Sequence, residues 1–145
     1  MKNKEKLIYF IVIILASVFL FGIYDNINRK VAIEPIDLKA DLARTPRERA
    51  KGLSGREGLA ENEALILEFD EEDYHSIWMK DMNFSIDVIW INSQKEIVTI
   101  KSDVSPDSYP EYFSPAEPTK YVLEVEAGFA EDNNLHKGDK LHFEL

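Results

Sequence analysis

Apolar and polar residues alternate in short runs along most of this chain, and that period of two restricts its fold more than any other feature. Successive side chains of an extended strand point to opposite faces, so each such run makes a ribbon with one greasy side and one wet side. In IDLKADL, residues 36–42, Ile36, Leu38, Ala40 and Leu42 share one side while Asp37, Lys39 and Asp41 share the other. ALILEF (64–69) groups Leu65, Leu67 and Phe69; FSIDVIWI (84–91) groups Phe84, Ile86, Val88 and Trp90; KYVLEVE (120–126) groups Tyr121, Leu123 and Val125. The polar stretch Asn92-Ser93-Gln94-Lys95 turns the chain back through EIVTIK, which makes residues 84–101 a hairpin. Residues 75–80, and a last segment with Leu141 and Phe143 after the turn Lys137-Gly138-Asp139, complete a set of about seven short strands, mostly antiparallel.

Helical signals are few. Thr45-Pro46-Arg47-Glu48 is a capping box with proline at the first helical position, so a short helix follows and closes near Gly52 or Gly55. AGFAEDNNL (127–135) offers one further turn. The expected fold is mainly β, at the margin of α+β: a small single-domain antiparallel barrel or sandwich with one or two short helices, preceded by an N-terminal transmembrane helix. One connection stands apart, SDVSPDSYPEYFSPAEPT (102–119), stiffened by Pro106, Pro110, Pro115 and Pro118. Long connections of this kind serve as lids or binding loops. Its aromatics Tyr109, Tyr112 and Phe113 either plug one end of the core or form the rim of a cleft.

The first 30 residues are a different material. Lys2, Lys4 and Lys6 precede LIYFIVIILASVFLFGIY (7–24), a run of 18 positions without a charge. As a helix it would reach roughly 27 Å at about 1.5 Å per residue, close to the hydrocarbon thickness of a bilayer. A cleaved export signal would end in a small-x-small site, whereas this run ends in Phe21-Gly22-Ile23-Tyr24. The expected organisation is therefore a cytoplasmic tail, signal anchor and start of a tether over 1–30, and an exported β domain over 31–145, with secretion after cleavage as the alternative. The positive-inside rule keeps the three lysines in the cytoplasm, against the opposing pull of Arg29 and Lys30. The chain has 17 Lys and Arg against 27 Asp and Glu, a net charge of -10. Nucleic-acid partners are excluded by the lack of a basic footprint. With no cysteine, disulfides, thiolate metal sites and a lipidated cysteine are excluded too.

Three ordered motifs carry a resemblance. RAKGLSGREGL (49–59), SIWMKDMNFSIDVIWI (76–91) and YVLEVEAG (121–128) with a later KGD are similar to the uncharacterised domain of unknown function family number 192, over roughly residues 36–145. The family pattern falls on Gly52, Leu53 and Arg56, on Trp78, Met79, Lys80 and Asp87, and on Val122, Leu123, Glu124 and Gly128. This chain departs from it at Ser54, where Met is common, at Ala64-Leu65 for a Gly-Met step, and at Ser85-Ile86 for Pro-Leu. The resemblance implies an exported or membrane-tethered domain and no established activity.

Parity singles out the candidate site. Asp87 shares a half-apolar face with Ser85, Ile89 and Ile91, and Glu124 faces away from Tyr121 and Leu123. A carboxylate buried on a sheet is costly unless paired or hydrogen-bonded, so Asp87 calls for Arg56, Lys80 or a run of backbone N–H groups. Arg56 or Lys80 is expected in contact with Asp87 or Glu124. Trp78 is either core or a stacking surface for a sugar or other planar group. The candidate ligand-binding residues are thus Arg56, Trp78, Lys80, Asp87 and Glu124, with Tyr109, Tyr112 and Phe113 as rim. GLSG (52–55) fails as a nucleophile elbow because Arg56 stands where the second glycine belongs. His75, His136 and His142 lack the spacing of a helical zinc pair, and nothing calls for a metal or cofactor. The reading that follows is a membrane-anchored extracytoplasmic module of the cell envelope, binding or interacting without catalysis. Its partners would be the bilayer through residues 7–24 and an envelope ligand or membrane protein. The alternatives are an envelope hydrolase acting on glycan or peptide with Asp87 and Glu124 as paired carboxylates, and a structural partner of another membrane protein.

Overall fold

The computed structural model describes Ile14, Ser17 and residues 38–143. The chain divides into two compact units, Met1–Glu34 and Pro35–Leu145. In the first, Ile14 and Ser17 are helical, and the Ser17 hydroxyl donates to the Ile14 carbonyl at 2.8 Å. The rest of the proposed span 7–24 lies outside the described residues, and among the described residues no helix is long and apolar enough to cross a membrane.

The second unit runs β1 (Lys39–Ala43), α1 (Pro46–Lys51), β2 (Glu63–Asp73), β3 (Ile77–Trp78), β4 (Ile86–Ile91), β5 (Ile97–Val104), a 3-10 turn (Pro106–Ser108), β6 (Tyr112–Phe113), β7 (Thr119–Glu126) and α2 (Phe129–Asp132). Five strands form one mixed sheet in the order β1-β2-β7-β4-β5, and β3 pairs with β6 in a second, two-stranded sheet. Mainly β with two short helices therefore holds, while the closed barrel does not. β1 and β5 end the large sheet at opposite edges, and β1 runs parallel to β2 where a simple meander would have made it antiparallel. The physical reason is the crossover through α1: a chain that leaves β1 through a helix returns to the same end of the sheet.

Both faces of the large sheet are covered, so there are two cores. On the first face Leu65, Leu67, Ile86, Val88, Trp90 and Val122 pack with Leu53, Ile77 and Met79. On the second, Ile66, Ile89, Ile91, Leu123 and Val125 pack with Ala130, Leu135, Leu141 and Phe143. All six residues of β4 are consequently buried, the pattern of a strand sandwiched on both sides. Each fully buried aliphatic side chain contributes about 1.5–3 kcal/mol to this arrangement. The one polar edge of Trp90 is also satisfied, because its indole N–H donates to the His75 carbonyl at 2.8 Å.

Two segments differ from expectation. The last predicted strand is not one: only Lys140 bridges to Glu96, and Leu141 and Phe143 act as a cover on the second core, with Phe143 edge-on to Tyr121 at 5.3 Å. The connection 102–119 is more ordered than a loop, since β5 extends to Val104 and β6 pairs Phe113 with Ile77 and Tyr112 with Trp78.

The capping box forms as read. Glu48 N–H donates to Thr45 Oγ1 at 3.2 Å, Thr45 N–H donates to the Glu48 carboxylate at 2.9 Å, and Gly52 closes α1 with φ of 50°. Caps of this kind contribute on the order of 1 kcal/mol. Thr45→Ala is therefore expected to lower the unfolding free energy by about 1 kcal/mol in urea denaturation, with the slope against denaturant unchanged.

Candidate functional site

A cavity of about 300 Å³ opens on the first face of the large sheet, between α1 with its following turn and the β3-β6 ribbon. Its wall includes Arg49, Gly52, Phe69, Trp78, Tyr112 and Glu124. The turn after α1 is sewn to the turn after β3: Ser54 Oγ donates to the Lys80 carbonyl at 2.7 Å, Gly55 N–H to the Asp81 carbonyl at 2.9 Å, and Asn83 Nδ2 to the Arg56 carbonyl at 2.9 Å. These bonds hold the two sides of the mouth at a fixed separation.

Glu124 forms part of the floor. Its parity on β7 places it beside Val122 on the first face, opposite Leu65 of β2 and Val88 of β4. The residue is 5% exposed. Among the described residues no group donates a hydrogen bond to its carboxylate, and no cation lies in ion-pair contact with it. Burial raises its pKa from 4.5 to about 7, against the weaker opposing pull of the Arg56 charge. Gly52 lies directly against it: a Cβ there would sit 3.6 Å from Glu124 Oε2, 4.0 Å from Oε1 and 3.8 Å from the Arg49 carbonyl oxygen.

The mouth is aromatic. Trp78 stacks on Tyr112 with ring centroids 5.2 Å apart and meets Tyr109 at 5.8 Å, while Lys80 Nζ sits 5.5 Å from the Trp78 ring centre. Tyr109 and Tyr112 are 45% and 59% exposed. Arg49 is held in place by the carbonyls of Arg44 and Glu68 and lies 4.8 Å over the Phe69 ring. Sequence reasoning missed Arg49 and Phe69 as wall residues. A helix of six residues is too short to show by periodicity which side it presents, so no signal pointed to Arg49.

The other candidates lie elsewhere. Asp87 is 0% exposed and sits on the second face, beside Ile89 and opposite Val125. Its Oδ1 accepts from the backbone N–H groups of Asp103 at 2.8 Å and Gly128 at 3.2 Å, and its Oδ2 from Ala130 at 2.9 Å. Of the three partner types considered for it, the run of backbone N–H groups is the one present. Arg56 pairs instead with Asp41 at 2.6 Å, and among the described residues Lys80 makes no ion pair and neither cation contacts Asp87 or Glu124. Because Asp87 and Glu124 project from opposite faces of the sheet, they cannot flank one bond as paired carboxylates. Phe113 packs on the first core rather than forming rim, with Lys101 Nζ 5.5 Å from its ring centre.

The DUF192 family model, described as Uncharacterized ACR, matches residues 28–143. The chain belongs to the DUF192 family. No curated protein matches it. Two solved structures share the DUF192 chain's fold. One is a "putative transcription regulator" from Sinorhizobium meliloti 1021, 31% identical, covering 72% of this chain and 81% of its own, with a TM-score of 0.70. The other, a protein of unknown function from Novosphingobium aromaticivorans DSM 12444, is 29% identical and covers 73% of this chain and 75% of its own, also with a TM-score of 0.70. Among the described residues of the DUF192 chain, no three His, Asp or Glu side chains gather as a metal site would require.

Proposed function

We propose that this DUF192 chain is a non-catalytic binding module that takes a small ring-bearing ligand into the Glu124 cavity, with Trp78 and Tyr112 at its mouth. The observation that carries the reading is a carboxyl that is almost wholly buried, lacks a partner among the described residues and faces open space. A carboxyl held largely out of bulk water is costly to ionise, and a ligand group that pairs with its cavity-facing oxygens offsets that cost on binding. The aromatic mouth, above a wall that mixes apolar side chains with a few polar ones, fits the general form of small-molecule sites. The uncharged run 7–24 supports a membrane tether and an extracytoplasmic location for the module. A net charge of -10 supplies no phosphate-neutralising surface, which argues against nucleic acid as the ligand.

The test is an amide and indole NMR titration of the full chain with small ring-bearing solutes, neutral and charged. Shifts are expected at Gly52, Leu53 and the Trp78 indole but not at the buried Trp90 indole. Trp78→Ala is expected to weaken binding about tenfold, a loss of about 1.4 kcal/mol of stacking contact. Solutes that leave all of these resonances unmoved would end the proposal.

A further inference from the structure

We infer that the group received at the base of this cavity is an organic ammonium ion, held between the Glu124 carboxylate and the Arg49 carbonyl with its apolar body against the aromatic mouth. This rests on the binding-module reading and deepens it by assigning the ligand's chemical class.

Several polar groups of the wall are already engaged. The Ser54 hydroxyl donates to the Lys80 carbonyl, the Ser76 hydroxyl is bonded to that of Ser114 at 2.8 Å, and the Arg49 guanidinium is bound to two carbonyls. Beside Gly52, two acceptors remain. Glu124 receives no hydrogen bond among the described residues, and the Arg49 carbonyl, at the C-terminal end of α1, likewise accepts none. Their three oxygens stand against the same glycine: a Cβ on Gly52 would lie 3.6 Å from Glu124 Oε2, 4.0 Å from Oε1 and 3.8 Å from the Arg49 carbonyl oxygen. A ligand that fits must therefore bring several donors to one place, as an ammonium with its N–H groups does.

Charge selects in the same direction. A carboxylate in a low-dielectric site gains far more from a cation than it would in water. The positive groups packed around the cavity are directed elsewhere: Arg56 to Asp41, Arg49 to the two carbonyls and the Phe69 face, Lys80 to the outer Trp78 ring, while Lys51 is exposed. Aromatic rings attract ammonium groups through their negative faces. The net charge of -10 draws cations towards the molecule as a whole.

Three probes that share one ring decide the matter: benzylammonium, benzyl alcohol and benzoate, titrated into the full chain with the Gly52 amide and Trp78 indole resonances as readout. Benzylammonium is expected to bind at least about tenfold more tightly than benzyl alcohol. In Glu124→Gln that preference should vanish, and in the wild type the ammonium affinity should rise between pH 6 and pH 8 as the carboxyl ionises. Benzyl alcohol or benzoate binding in the cavity as tightly as benzylammonium overturns the ammonium assignment and leaves the binding module standing. If no probe moves the cavity resonances, both fall. The three-probe comparison in the wild type stands even if Glu124→Gln fails to fold.

Discussion

Replacing Asp87 by alanine is expected to lower the unfolding free energy by at least about 4 kcal/mol, because three backbone N–H groups lose a charged acceptor at once. These donors come from separate parts of the chain. Asp103 lies near the end of β5, where its φ of 50° bends the strand, Gly128 follows β7, and Ala130 lies within α2. One side chain thus ties the far end of the hairpin to the segment that roofs the second core. Water cannot replace it, as the residue is fully enclosed. Asparagine separates geometry from charge. Its carbonyl can still serve Asp103 and Gly128, but its amide meets the Ala130 N–H donor to donor, so Asp87→Asn should cost about 2 kcal/mol. Urea denaturation measures both. An Asp87→Ala variant within about 0.5 kcal/mol of the wild type would refute the tie.

The second large effect carries the opposite sign. Glu124 holds its proton up to about pH 7 in the folded chain, against 4.5 for an ordinary glutamate. Between those values the folded state binds more protons than the unfolded state, so this residue's contribution to stability is present below about pH 4.5 and is lost as pH rises through about 7. Each pH unit between the two is worth about 1.4 kcal/mol, which makes the whole loss about 3 kcal/mol. Glu124→Gln keeps the shape without the charge. The stability of this variant relative to the wild type should therefore increase by about 3 kcal/mol from pH 4.5 to pH 8. Taking the difference between the two chains cancels the titration of the many surface carboxylates. A difference that stays constant across that range would mean that Glu124 ionises as freely folded as unfolded.

The two carboxylates also mark how far the sequence can be read. Parity alone separates Glu124 from Tyr121 and Leu123 and puts Asp87 with Ile89 and Ile91, and both placements hold in the structure. The capping box at Thr45 and the hairpin through Asn92 are equally local, so they too are legible. Alternation cannot tell which way a neighbouring strand runs, and the parallel pairing of β1 with β2 follows from a crossover instead. Nor can it reveal that a second face is covered. The covers are β3 and β6, two residues each, and the irregular segment ending at Leu141 and Phe143, all too short or too uneven to carry a period. The partners of Asp87 are backbone N–H groups, which every residue but proline possesses and no side chain announces. Arg56 was a sound electrostatic choice for a buried acid, but Asp41 lies within its reach at the surface and takes it.

The carboxyl of Glu124 is buried, open to a cavity and, among the described residues, without a hydrogen-bond or ion-pair partner. A carbon-13 NMR titration of that carboxyl in the full chain tests it most directly. The expected midpoint lies near pH 7 and moves down when benzylammonium is added. A midpoint near 4.5, unmoved by benzylammonium, would contradict it.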